Sequence, residues 1–244
     1  MSLDTGATDR VDSHRLAAAA RSILACPADL TLRLDGVSDP ASLDGQVELQ
    51  DHAGHPILSC APDSPLALAA HRNAAAVLTV HSGLGRPGTA DRDATLTLSG
   101  HLEITGLEEC SCCTAVRLRV TLHLDLAVLS RPGAAAGPVS GIGVPLAAFT
   151  SPAHDLNRGL LQRSAEHTDL CHQAELRRAV SARTATPLRD VIGVHVADLR
   201  PDGLLLRWVD RTGAHESVVP FGRRAADAAD LGDLLRDALH AGIC

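Results

Sequence analysis

The sequence predicts an α+β protein of two domains, a mostly antiparallel β-barrel followed by a smaller α+β domain. Its 244 residues exceed the usual size of one domain, which is about 100 to 200 residues. Several segments alternate apolar and polar residues with the period of a half-buried strand, most clearly residues 115–128. The turn-rich stretch 150–152 precedes a long helical pattern, so we place a boundary there and expect domains at 1–150 and 151–244.

The elements of the first domain follow from period and turn chemistry. Pro27 ends an opening amphipathic helix, and Ser64 with Pro65 supplies the cap and first position of a short helix. Residues 51–56 carry turn chemistry between two extended runs, which predicts a hairpin. The predicted elements are a helix over 11–25, strands over 30–34, 46–50 and 57–60, a helix over 66–73, strands over 75–80, 95–104 and 115–128, and a glycine-rich loop over 82–93.

The second domain is expected to combine helices with antiparallel strands. Residues 156–180 carry one continuous helical pattern, with Leu160, Leu161, His167, Leu170 and Leu176 near one side. The remaining predicted elements are strands near 190–199, 203–209 and 214–220 and a helix over 224–240.

Composition and charge exclude several classes of function. The 22 basic residues are all Arg, so no lysine amine is available for a Schiff base with pyridoxal phosphate. A formal charge of −7 without a basic stripe argues against nucleic acid as a partner. The chain shows neither a secretory signal pattern nor a long apolar run, so we expect a cytoplasmic protein that does not enter a membrane.

Several short motifs, taken in order, resemble the FMN-binding split-barrel proteins related to pyridoxamine 5'-phosphate oxidase. The turn Asp51-x-x-Gly54-x-Pro56 resembles their first hairpin, residues 64–73 resemble their short helix, and residues 97–103 resemble the following strand. The resemblance implies a split β-barrel, FMN as a cofactor and a homodimer.

The C-terminal part resembles the second domain of haem-utilisation and haem-degrading proteins. Glu166-His167 followed by His172 is similar to a Glu-His-x-x-x-x-His helix motif of that domain, and the strand at 203–207 and the segment 219–221 complete the match. The residue before the second His is commonly acidic in that family and is Cys171 here. The resemblance implies haem binding that supports oxidative haem breakdown.

His167 and His172 are the candidate ligands of a haem iron, since a neutral imidazole is a normal axial ligand. On one helix, residues five apart are offset by about 140°, so we expect only one of the two to face the metal. The alternative is structural, with one His hydrogen-bonded between domains and the other facing solvent.

Two further groups of residues are candidate ligands. Cys110, Cys112 and Cys113 form a thiol cluster, although zinc sites usually pair two separated knuckles and no second one is present; the alternative is a turn or strand edge. Arg72, Arg117 and Arg119 lie near the strands that match the barrel family and are candidates for the phosphate of FMN.

Three functions therefore compete. We rank a haem-binding protein of the haem-utilisation type first, a non-enzymatic regulatory or scaffolding dimer on a cofactor-free split barrel second, and an FMN-dependent oxidoreductase third. The chain has no Tyr to stack on a flavin ring, which counts against the third. It also lacks the Gly-x-Ser-x-Gly elbow of a serine hydrolase.

Overall fold

The computed structural model describes residues 5–37, 47–109, 116–132, 140–184 and 186–240. Within it the chain divides into two compact units, Met1–Gly159 and Leu160–Cys244. The turn-rich stretch 150–152 lies within the first unit. Among the described residues, no helix combines the length and the apolar character needed to span a bilayer.

The first unit is a curled antiparallel half-barrel sheet with helices, which confirms the predicted α+β class. Its elements are α1 (Thr5–Ala25), β1 (Pro27–Leu34), β2 (Glu48–His52), β3 (His55–Cys60), α2 (Pro65–His71), β4 (Ala75–Ser82), β5 (Thr95–Glu109), β6 (Val116–Arg131), β7 (Ser140–Gly143) and α3 (Leu146–Phe149). The strands run in the order β1-β4-β5-β6-β3-β2, and β7 pairs with the end of β6. Two short elements, β7 and α3, were not predicted.

The longest strand pair of the sheet, β5 and β6, is irregular at two places. Their register shifts between Ser99 and Gly100 and again between Ile104 and Gly106, and such bulges bend a strand and increase its twist. At Gly100 the backbone of β6 comes so close that an added Cβ would lie 1.7 Å from the carbonyl oxygen of His123. Only glycine allows that approach.

Two local features that the sequence predicts, a helix cap and a hairpin turn, are present in the structure. Ser64 caps α2, because its Oγ accepts the N–H of Ala67 at 3.1 Å. Ala53 and Gly54 form the two-residue turn between β2 and β3, with φ of 50° and 84°, the positive values that a tight hairpin turn of this hand requires.

The core of this unit contains almost no aromatic side chain. Leucine, valine and alanine from both the sheet and the helices fill it, with Phe149 as a fully buried exception. The core therefore depends on many small apolar contacts. Its most completely buried members include Ile23, Leu58, Leu78, Leu98, Leu122 and Phe149.

In its described residues the second unit contains a three-stranded antiparallel sheet, three α-helices and a short 3-10 helix over Leu188–Asp190. Its elements are α4 (Arg158–Cys171, whose first two residues belong to the first unit), α5 (Gln173–Thr184), β8 (Gly193–Arg200), β9 (Gly203–Asp210), β10 (Gly213–Pro220) and α6 (Ala228–His240). The sheet order is β10-β9-β8, so β8 and β10 are edge strands. α5 contacts both β8 and α6.

The prediction of one helix over 156–180 is wrong. The helix stops at Cys171, His172 belongs to neither helix, and α5 starts at Gln173. The break also separates the expected apolar side, because Leu170 is 83% exposed whereas Leu176 is fully buried.

Candidate functional site

The two candidate histidines lie close together at the break between α4 and α5. His167 lies in the last turns of α4, and His172 is the residue between the helices. Their ring centres are 5.4 Å apart and their planes make an angle of 71°. The expectation that only one of them could face a ligand assumed a continuous helix, and that assumption does not hold in the folded chain.

Both histidines line one cavity of about 570 Å³, which we call the α4–α6 cavity. It is bounded by α4, the start of α5 and α6. The lining residues are Leu160, Arg163, Ser164, His167, Thr168, His172, Glu175, Ala228, Leu231, Gly232, Leu235, Arg236, Leu239 and His240.

The wall that α6 contributes is apolar. Leu231, Leu235 and Leu239 recur every four residues and so share one side of the helix. Gly232 lies in the same wall, and an added Cβ there would meet no atom within 4 Å. The side chains at these positions leave room for an apolar ligand of considerable size.

Cationic side chains lie beside this apolar wall. Arg163 precedes His167 by four residues and therefore shares its side of α4. Within the described part of the chain Arg163 has no ion-pair partner, whereas Arg236 donates from Nη2 to Asp233 at 2.8 Å. The cavity thus combines an apolar wall, imidazoles, the guanidinium of Arg163 and the carboxyl group of Glu175.

The start of α6 is held in place by two carboxylates. Asp227 caps the helix, because its Oδ1 accepts the N–H of Asp230 at 2.9 Å. Asp230 in turn pairs with Arg223 and accepts the N–H of Ala226 at 2.8 Å. The hydrogen bonds from Arg223 and Ala226 lower the pKa of Asp230 to about 2, so its charge persists at any ordinary pH.

The described residues contain no group of three or more His, Cys, Asp or Glu side chains that could hold a metal ion. His167 and His172 therefore lack the further protein ligands that a free ion such as zinc requires. An imidazole pair of this kind suits a metal that arrives with most of its ligands, as iron does in a porphyrin.

Of the three arginines proposed for a flavin phosphate, two lie on β6 and the third follows α2. Arg117 donates from Nε and Nη2 to the Oγ and carbonyl of Ser59, each at 2.8 Å, which commits much of its guanidinium to β3. Arg119 is half-buried two residues along β6, and Arg72 is exposed at the C-terminal end of α2. The cavity of about 370 Å³ in the first unit is lined by other residues.

The cysteine cluster Cys110, Cys112 and Cys113 lies outside the described residues. Cys171, which stands where the similar family motif is commonly acidic, is exposed and ends α4.

Sequence reasoning missed several residues of the α4–α6 cavity. Arg163 carried a usable signal, since its spacing of four from His167 places both on one helix face. The α6 residues could not be predicted from the sequence, because only the tertiary fold places α6 and α4 around the same cavity. A separate cavity of about 830 Å³ on the three-stranded sheet, with His195 and His215 in its lining, was also not predicted.

Comparison with known proteins gives little beyond this geometry. No protein-family model and no curated protein matches the chain. A haem-binding protein from Mycobacterium smegmatis is 13% identical and aligns over 93% of this chain and 97% of its own, with a TM-score of 0.39. A protein of unknown function from Agrobacterium tumefaciens is 17% identical, over 92% and 95%, also with a TM-score of 0.39. At these scores neither alignment carries an argument about function.

Proposed function

We propose that the second unit binds haem in the α4–α6 cavity, with His167 or His172 as the iron ligand. The observation that carries this proposal is the pair of imidazoles, 5.4 Å apart, on a cavity of about 570 Å³ with an apolar wall. The resemblance of residues 166–172 to the haem-utilisation motif supports it independently of the cavity.

Each part of the cavity has a counterpart in the chemistry of haem. Haem iron needs only one or two ligands from the protein, and a single imidazole is a common one. The leucines of α6 match the apolar face of the macrocycle, whose burial supplies most of the binding energy. Arg163 is a donor for a haem carboxylate, since a guanidinium pairs strongly with a carboxylate.

An absorbance titration with haem tests the proposal directly. We expect the Soret band to shift and the shift to saturate at about one haem per chain. His167→Ala or His172→Ala should abolish or alter this band. His101→Ala is the matched control, because His101 is an exposed histidine of the first unit. Absence of saturable binding, or an identical band in all variants, would contradict the proposal.

A parallel titration with FMN separates the competing functions. Saturable FMN binding without haem binding would favour an oxidoreductase on the barrel. Binding of neither compound would favour the non-enzymatic module.

A further inference from the structure

Asp169 fastens the end of α4 to the edge strand β8. Its Oδ1 accepts the backbone N–H of Val196 at 2.8 Å, and its Oδ2 contacts Nδ1 of His195. The β8 register shifts between Val196 and Asp198, so this N–H lies at an irregularity of the edge strand. The carboxylate therefore satisfies a donor that would otherwise depend on solvent.

Gln173 makes the matching contact on the other side of the break. Its Nε2 donates to the carbonyl of Val194 at 3.0 Å and to the carbonyl of Asp169 at 2.9 Å. In an uninterrupted helix the Asp169 carbonyl would accept the backbone N–H of Gln173. The side-chain amide of Gln173 donates to this carbonyl instead, so the Asp169 carbonyl keeps a hydrogen-bond donor at the interruption.

One local contact lies close to the break, because Thr168 Oγ1 donates to the carbonyl of Ser164 at 2.8 Å, a bond that often bends helices. Residues 166–176 contain neither Pro nor Gly, the usual causes of a sharp interruption. The contacts of Asp169 and Gln173 with β8, which we call the β8 clamp, lie on the two sides of the one helical bond that is missing, while His172 N–H still donates to Thr168 and Leu176 N–H to His172. They hold the backbone three residues before and one residue after His172.

We propose that Asp169 and Gln173 are positioning residues of the haem site, because the β8 clamp sets the separation of His167 and His172. This inference rests on the proposed haem binding. Without the clamp, α4 and α5 would join into one helix, in which residues five apart diverge by about 140°. One imidazole would then leave the α4–α6 cavity.

Four variants isolate the clamp. Gln173→Met keeps the length of the side chain and removes the amide, and Asp169→Ala removes both acceptor oxygens. Asp169→Asn retains one acceptor for the Val196 N–H and is the conservative rescue. Arg178→Ala is the matched control, because Arg178 is exposed on α5 and lies outside the cavity lining.

Haem titration of these variants gives the first readout. We expect Gln173→Met and Asp169→Ala to raise the haem Kd about five- to tenfold, the effect of losing one or two hydrogen bonds. At saturating haem their Soret bands should move towards that of His172→Ala, which a general loss of stability would not produce. Asp169→Asn and Arg178→Ala should resemble the wild type. Unchanged affinity and spectrum in both clamp variants would overturn the inference.

Hydrogen exchange of the ligand-free chain gives a second readout that needs no haem. We expect faster exchange at Val196 and changed protection across 167–173 in both clamp variants, but not in Arg178→Ala. If the wild type does not bind haem, the proposed function is wrong. Hydrogen exchange then still tests whether Asp169 and Gln173 hold the break. Identical exchange in all variants would show that Asp169 and Gln173 do not hold the break.

Discussion

Arg21 and Asp51 form a buried ion pair in the first unit, with Nε 3.0 Å from Oδ2 and side-chain exposures of 2% and 8%. The same guanidinium donates to the carbonyl of Phe149 and to Asp155, each at 3.1 Å. One side chain of α1 thus joins strand β2, the end of α3 and the residues that follow it.

Replacing Arg21 should destabilise the first unit strongly. Arg21→Met leaves the buried Asp51 carboxylate without its cation, and breaking such a pair costs about 3–5 kcal/mol. Urea unfolding measures the loss. Arg15→Met, an exposed position on the same helix, should change stability by less than about 0.5 kcal/mol. Equal effects of the two substitutions would show that the Arg21 network contributes nothing specific.

Stability should fall in mild acid because of His154. Burial, followed by the nearby charges of His14 and Arg21, lowers the pKa of His154 below its ordinary 6.5, while Asp155 opposes the shift. The unfolded chain then binds a proton that the folded chain does not. The stabilising contribution is complete above pH 6.5 and is lost as the pH falls towards the folded pKa.

Unfolding free energies at several pH values test the role of His154. His154→Leu removes the titrating ring, whose Nε2 has no hydrogen-bond partner within the described structure, and should flatten the dependence below about pH 6.5. His71→Leu, at an exposed position, should leave the slope unchanged. If stability still falls with pH to the same extent in His154→Leu, other titrating groups cause the pH dependence.

The bulge at Gly100 should tolerate no side chain. Gly100→Ala places a Cβ 1.7 Å from the His123 carbonyl oxygen, so β5 and β6 must separate there. We expect a loss of at least about 2 kcal/mol, as for other overpacked sites. Gly106→Ala is the control, since its Cβ would meet nothing within 4 Å. Thermal unfolding of both variants separates a steric requirement from a general preference for glycine.

The size of the side chain at position 232 should determine how much space the α4–α6 cavity offers a ligand. Gly232→Ala adds a Cβ in open space within a helix and should stabilise the protein by about 0.5–1 kcal/mol. Gly232→Leu projects a larger group among Leu231 and Leu235 and should weaken haem binding while the protein remains folded. Tight haem binding by Gly232→Leu would place the ligand elsewhere.

Arg163 should recognise a haem carboxylate. Arg163→Leu is expected to weaken haem binding about tenfold, the value of a charge-assisted hydrogen bond, and to leave the binding of haem dimethyl ester unchanged. Arg178→Leu, an exposed substitution on α5 outside the cavity lining, should affect neither ligand. An equal loss for haem and its ester would mean that Arg163 acts through packing.

Local physics determined much of the fold from the sequence. Alternating side chains predicted β5 and β6, Ser64 predicted the cap of α2, and Gly54 predicted the β2–β3 turn, because each depends on residues close in the chain. The histidines were likewise identified from their spacing, although their use as iron ligands stays a prediction.

Only the tertiary structure decided how the candidate site is assembled. The β7 strand forms because the end of β6 offers it a partner, and its short segment Ser140–Gly143 shows no alternation of its own. The break at His172 lies between Asp169 and Gln173, whose side chains bond the edge strand β8, and we attribute it to these contacts. Helical periodicity reports which residues favour a helix, but it contains no information about a strand edge more than twenty residues away.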